Sequence, residues 1–262
     1  MKSADFRFQT IDGANLHVNG WAVEKPKAIV HVLHGMAEYG ARYARLAQAL
    51  ATAGYTTYAH DHRVNREIAK RHPGVPIIVL GHSMGSFVLQ QLLFEHPNDM
   101  VAAALSGSNG KPPAIAMIGK LVARIERVRV GKRNPSPVMQ KLTFDEYNKA
   151  YAPARTEFEW LSRDPEEVDK YVADPLCGFA VSTQVWIDML RALDRIANPS
   201  NVARVPKGMP LYLFAGDKDP VGDCGKGMKR LYDTYKRAAI FDVRLKLYPD
   251  GRHEMLNESN RQ

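Results

Sequence analysis

The sequence predicts an α/β fold with a mostly parallel central sheet flanked by helices and one inserted helical cap. Two observations carry this. Strand-like and helix-like segments alternate from residue 28 to residue 105 and again from 209 to 248, the pattern of parallel strands joined by covering helices. Between them the alternation stops, and Ser108 to Ala197 reads as helical and basic with scattered aromatics. The expected organisation is therefore a first core segment at 1–107, a cap at 108–197 and a second core segment at 198–262.

In chain order, Asp5–Thr10 and Asn15–Val23 alternate in polarity around Asp12-Gly13, which signals a hairpin. Ala28–Leu33 is continuously apolar, as a strand buried on both faces should be, and ends at His34-Gly35. Arg42–Ala53 has helical spacing at Tyr43, Leu46, Ala47 and Leu50, with Gly54 as its stop. Tyr55–Asp61 is a strand and Val64–Arg71 a short helix. Pro76–Leu80 is a strand that runs almost directly into a helix at Met84–Glu95, and Met100–Leu105 is again strand-like. After the cap, Met209–Phe214 is a strand, Lys226–Ala239 a helix and Phe241–Tyr248 the last strand.

Composition narrows the function classes. The chain has 262 residues, 45% hydrophobic and 24% charged, which excludes a disordered or collagen-like protein. No apolar run approaches the roughly 18 to 20 residues of a membrane span. The N-terminus turns charged and strand-like at once, so no signal peptide is read there. The 2 cysteines, Cys177 and Cys224, are far apart and suit a reducing, cytoplasmic setting. A net charge of +8 leaves nucleic acid, anionic membranes and plain solubility open on its own.

The sharpest chemical signal is Gly81-His82-Ser83-Met84-Gly85, a G-x-S-x-G pentapeptide placed directly after a buried strand and directly before a helix. On such a turn a serine hydroxyl projects from the carboxyl edge of the sheet, and small flanking residues avoid clashes. A glycine-rich phosphate-binding turn is the bland alternative, but the spacing fits neither a P-loop nor a dinucleotide fingerprint. Serine needs a base and an orienting acid, which on this architecture follow in the order Ser, Asp/Glu, His at later strand ends. Asp217 and Asp219, after the strand ending at Phe214, are both candidates for the acid. His253, in the loop after the last strand, is the candidate base. Charge developing on a substrate carbonyl oxygen needs two backbone donors, worth roughly 3 kcal/mol each. Met84, after the nucleophile, and Met36, in the loop after Leu33, are placed to supply them. His34 reads as a structural histidine bonding loop backbone.

These segments together resemble the α/β-hydrolases, in the branch of monoacylglycerol lipases and bacterial lysophospholipases. The resemblance rests on His34-Gly35-Met36-Ala37-Glu38 with Arg42-Tyr43, on Ala59-His60-Asp61-His62-Arg63 and on Gly81-His82-Ser83-Met84-Gly85. It rests further on Gly216-Asp217-Lys218-Asp219-Pro220-Val221 and on the loop ending in His253-Glu254. It implies Ser83 as nucleophile, Asp219 rather than Asp217 as acid, His253 as base, and Met36 and Met84 as oxyanion donors. It implies no cofactor. Two departures stand out. Arg63 runs at once into Val64-Asn65-Arg66-Glu67, leaving about fifteen residues between two strands, near the minimum of a parallel crossover. A helix of about eight residues spans only ~12 Å, less than the ~17 Å of a five-residue strand, so a deletion at 63–64 is expected here. The family also usually adds a closing helix after the histidine, so a longer natural chain is expected.

Within the cap, residues 117–130 place apolar side chains at 118, 121, 122, 125 and 128 opposite a basic face. Such a helix packs on the core, lines an acyl pocket, or touches an anionic lipid surface. Phe144, Tyr147, Tyr151, Phe158, Trp160, Phe179 and Trp186 build either core or a hydrophobic pocket mouth. Arg155, Arg163, Asp164 and Asp174 read as helix caps and ion pairs. His60-Asp61-His62 lacks a third metal ligand, and no nucleic-acid reading motif accompanies the positive charge. The expected function is hydrolysis of carboxylic esters, such as monoacylglycerols, lysophospholipids or short acyl esters, through a Ser-His-Asp triad. Amide or thioester hydrolysis with the same triad, or a ligand-binding pseudo-hydrolase, are the alternatives.

Overall fold

A computed structural model describes residues 1–10, 13–60, 64–110 and 116–261. Among the described residues nine strands form one sheet: β1 (Lys2–Ser3), β2 (Phe6–Gln9), β3 (Asn15–Ala22), β4 (Ile29–Leu33), β5 (Thr56–His60), β6 (Ile77–His82), β7 (Ala102–Ser106), β8 (Leu211–Gly216) and β9 (Val243–Tyr248). Their order is β1-β3-β5-β4-β6-β7-β8-β9, with β2 paired to β3. The first three strands pair antiparallel and β3 meets β5 antiparallel; from β5 to β9 every neighbour is parallel. β4 and β5 are buried along their whole length because helices cover both faces. The β2–β3 hairpin is as the alternation predicts, with Gln9 opposite Asn15; Ile11 and Asp12 at its tip lie outside the described residues.

Helices α1 (Ala44–Thr52), α2 (Asn65–Arg71) and α3 (Met84–Glu95) join the early strands. The predicted helix at 42–53 begins as a 3-10 turn at Gly40–Tyr43 before α1. The short crossover from β5 to β6 is closed by α2, whose Ile68, with Val64 just ahead of it, is fully buried. Asn65 ties the start of α2 to β4 through His31 Nδ1 at 2.9 Å and to the 3-10 turn before β7 through the Asp99 carbonyl at 2.7 Å. Seven residues of helix therefore serve where the length estimate leaves little room. The 63–64 junction itself, with Asp61, His62 and Arg63, lies outside the described residues, as does that part of the His60-Asp61-His62 metal reading.

Between β7 and β8 lie α4 (Ala116–Val130), α5 (Pro137–Gln140), α6 (Glu146–Lys149), α7 (Pro165–Ala173), α8 (Thr183–Ala197) and α9 (Pro199–Val202). Lys141–Asp145, between α5 and α6, is a π-helical turn. Helix α10 (Lys226–Arg237) returns the chain to β9. Asp164, Ser182 and Asn198 cap α7, α8 and α9 with their side chains. Arg155 pairs with Asp169 and Arg163 with Glu258, the structural roles expected of them. Helix α4 corrects one reading. It packs on α8 through Ala123 and Val122, beside Trp186, Ile187 and Leu190, while its larger apolar residues Ile118, Leu121, Ile125 and Val128 face solvent, Val128 being 89% exposed. Of the predicted stripe only Val122 packs inward, beside Ala123 and the buried Glu126; the other four residues turn outward, so the contact face is rotated from the one the spacing suggested.

Candidate active site

Ser83 sits between β6 and α3 with φ 51° and ψ −121°, a strained conformation for a residue with a side chain. The turn is tight enough that its glycines have no substitute. A Cβ on Gly85 would lie 2.0 Å from the Leu33 carbonyl oxygen, and one on Gly81 would lie 2.6 Å from that of Gly85. The Ser83 N–H donates to the Ser106 carbonyl at 2.9 Å, holding the elbow against β7.

His253 Nδ1 lies 2.9 Å from Asp219 Oδ1, and these side chains are 2% and 0% exposed. The Val221 N–H donates to the same carboxylate oxygen at 2.9 Å, so the loop after β8 orients this side chain. Asp217, the other candidate, instead accepts the Asp250 N–H at 2.8 Å and fastens the last loop. Burial alone lowers the His253 pKa, but the Asp219 carboxylate, its hydrogen bond, and Glu254 and Glu38 outweigh it, leaving the imidazole above its ordinary value. His82, its ring 4.8 Å from that of His253, goes the other way. Burial first, then the His253 charge, pulls it down to about 4, so it stays neutral with Nδ1 3.2 Å from Ser106 Oγ.

Met84 opens α3, so its N–H is one of the first-turn donors that lack an intrahelical partner. Met36 lies in the loop after β4 and lines, with Ser83, both spaces described below. His34 Nδ1 is 2.9 Å from the Gly35 carbonyl oxygen, the structural part expected of it.

Two spaces meet at Ser83. One is a cavity of about 750 Å³ walled by Phe87, Phe144, Tyr147, Trp160, Trp186 and Met189. The other, of about 40 Å³, lies between Ser83, His253, Glu38 and Glu254 with Phe158 and Phe179 beside them. The π-helical turn delivers Thr143 and Phe144 to the large cavity, a use typical of π-bulges near sites. The aromatics of the inserted segment thus build core and pocket wall at once: Trp160 stacks on Phe144, 5.8 Å between centroids, and tilts over His253 at 5.1 Å.

The model of the family described as "Serine aminopeptidase, S33" matches residues 24–63 and 64–260. The chain belongs to this family. It is an α/β-hydrolase of the monoacylglycerol lipase-like branch and a carboxylic-ester hydrolase. Monoacylglycerol lipase of Mycolicibacterium smegmatis is 29% identical over 97% of this chain and 91% of its own length. Human monoglyceride lipase is 25% identical over 94% of this chain and 82% of its own. Among solved structures, a thermostable carboxyl esterase from Bacillus coagulans, in complex with glycerol, superposes with a TM-score of 0.87, covering 98% of this chain and 93% of that one at 23% identity. The monoglyceride lipase of Saccharomyces cerevisiae, as a soluble variant with a substrate analogue, gives 0.75, covering 100% and 90% at 18% identity. Both share the fold. The family match divides at 63/64, the junction that the sequence marks as short.

Sequence reasoning gave no role to the charged residues behind the hydrolase site. Arg42 donates from Nη1 to Glu38 Oε2 at 2.6 Å and to Glu254 Oε1 at 2.7 Å, and from Nη2 to Glu254 Oε2 at 2.8 Å. The Glu38–Arg42 spacing of four residues was visible; the bond to Glu254, 212 positions away from Arg42, was not.

Proposed function

We propose that this hydrolase cleaves monoacylglycerols, or chemically similar monoacyl esters, with Ser83 as nucleophile, His253 as general base and Asp219 as the acid that fixes its tautomer. His253 Nε2 takes the Ser83 proton as Oγ attacks the ester carbonyl. The oxyanion is held by the Met36 and Met84 N–H groups, the alcohol leaves with the proton, and water releases the acyl group by the same route. The reading needs no cofactor.

The observation that carries the substrate choice is the inequality of the two spaces at Ser83. About 750 Å³ of largely apolar wall suits a long acyl chain. The smaller recess, about 40 Å³, with Glu38 and Glu254 set among aromatic walls, has room for a few water-sized groups, hence a small polyol rather than a second acyl chain. The names of the relatives support the same choice. In this reading residues 108–197 are the cap over the acyl chain. The outward stripe Ile118, Leu121, Ile125 and Val128, among exposed Arg124, Arg127, Lys132 and Arg133, rests on an anionic lipid surface from which substrate enters. Among the described residues no helix is long and apolar enough to cross a membrane; a cytoplasmic enzyme that visits its substrate at a bilayer is the arrangement we favour.

A fluorophosphonate probe should label the parent and not Ser83→Ala. A series of acyl glycerols and nitrophenyl esters should show kcat/KM rising with chain length, and diacylglycerol should be a poor substrate. An unlabelled, folded parent would point to a binding protein, and faster turnover of aminoacyl amides than of esters would point to a peptidase.

A further inference from the structure

The least expected feature near the site is a buried acid–base cluster that touches both halves of the catalytic machinery. Glu38, Arg42 and Glu254 are nearly enclosed, with side-chain exposures of 4%, 12% and 6%. All four carboxylate oxygens of the two glutamates accept at least one hydrogen bond. Glu38 Oε1 accepts the Gly35 N–H and the Tyr43 hydroxyl, the latter at 3.0 Å, and Glu254 Oε2 also accepts Asn257 Nδ2 at 2.8 Å. Arg42 lies 4.8 Å over the Tyr171 ring, and the Tyr171 hydroxyl donates to the Ala37 carbonyl at 3.0 Å. Gly35 and Ala37 flank Met36, and Glu254 follows His253. One guanidinium therefore ties the proposed oxyanion loop to the histidine loop.

Two carboxylates against one guanidinium leave one negative charge in a nearly enclosed site. Buried ion clusters contribute little to stability for the desolvation they cost, so such a charge is more readily explained by what it does. The groups facing His253 are Asp219 from the loop after β8, Glu254 from its own loop, Glu38 from the loop after β4, and the neutral His82 from β6. Arg42 answers for only one of the two glutamates.

We propose that the Glu38–Arg42–Glu254 cluster is a positioning device for this hydrolase, setting the oxyanion loop against the histidine loop while its residual negative charge stabilises the His253 imidazolium formed during catalysis. These are positioning residues, acting through His253 and the Met36 N–H. The proposal rests on the triad reading above. It goes beyond that reading in placing part of the basicity of His253 outside the Asp219 pair.

The test is the pH dependence of kcat/KM and of the fluorophosphonate labelling rate in the parent, Glu254→Gln and Glu38→Gln, each confirmed as folded by its thermal transition. Glutamine keeps the shape and an acceptor for Arg42 but removes the charge. The acid limb should move to lower pH in both variants, by about one pH unit, with kcat reduced at the plateau. Glu95→Gln, which breaks the surface pair with Arg195, should leave the limb in place. A variant that turns over more slowly with an unmoved limb would mean a purely structural cluster and overturn the electrostatic role. If neither glutamine variant folds, the parent decides: an acid limb at or above the ordinary histidine value is expected, and one well below it overturns the proposal. Failure of the parent to label at any pH would instead sink the triad reading, and so is a separate outcome.

Discussion

At the scale of single residues, Asp217 and Asp219 are told apart by one hydrogen bond, the one that Asp219 makes to His253. Both lie in one short loop of alternating charge, and spacing alone does not separate them. The loop turns Asp219 inward, where Val221 N–H and His253 Nδ1 both meet Oδ1, and leaves Asp217 to hold the Asp250 backbone. Asp219→Asn should therefore lower kcat by about 10⁴, because an amide at this position favours the wrong imidazole tautomer. Asp217→Asn should cost less than about tenfold, since a surface substitution that keeps an acceptor is nearly neutral. Steady-state kinetics on the two purified variants compare them directly, and the reverse ranking would reassign the acid.

At the scale of elements, the elbow and α4 make opposite points. The elbow is local: a buried strand, five residues and a helix suffice to predict where Ser83 stands, because its geometry is dictated by sterics within the turn. For α4 the 3.6-residue pattern gives a helix and its amphipathic stripe, and the helix is there at Ala116–Val130. Which face turns inward is not in the pattern. Neighbouring α8 presents Trp186, Ile187 and Leu190 to Ala123, leaving the larger aliphatic residues outside. The double variant Ile125→Asp with Val128→Asp should weaken binding to phosphatidylglycerol vesicles by about tenfold or more, given the transfer free energy of two aliphatic side chains. It should leave thermal stability and the hydrolysis of a water-soluble short-chain ester nearly unchanged. Vesicle sedimentation reads the first effect; a large loss of stability would show that the stripe has a folded-state role instead.

At the scale of the whole molecule, ion pairs and hydrogen bonds join the inserted helices and the C-terminal loops to α1 and the 3-10 turn before it. Arg45 reaches Glu167 of α7 at 2.7 Å and Asn257 at 2.6 Å, and Arg42 reaches Glu254. The hydrogen bonds from Arg45 hold Glu167 down to about 2 against an ordinary 4.5, despite burial. Burial alone would raise Glu254, but the Arg42 charge brings it to about 2. Both folded-state values lie below the unfolded ones, so this stabilisation is complete above about pH 4.5 and is lost as pH falls toward 2. The thermal midpoint should therefore decline steadily between those values, and Arg45→Met should flatten part of the decline. A midpoint independent of pH in that window would remove these pairs from the stability of the fold.

The sequence by itself determined the strand and helix order, the elbow at Ser83, the placing of Ser83, the Asp217/Asp219 loop and His253 at successive strand ends, and the inserted helical segment. Each of these is written in local pattern or in the fixed order of strands along a parallel sheet. The tertiary structure alone decided which aspartate meets His253, which face of α4 turns outward, and that Glu254 closes on Arg42 from the far end of the chain. Those outcomes depend on contacts between residues distant in sequence, where packing and the desolvation of charge, rather than periodicity, set the result.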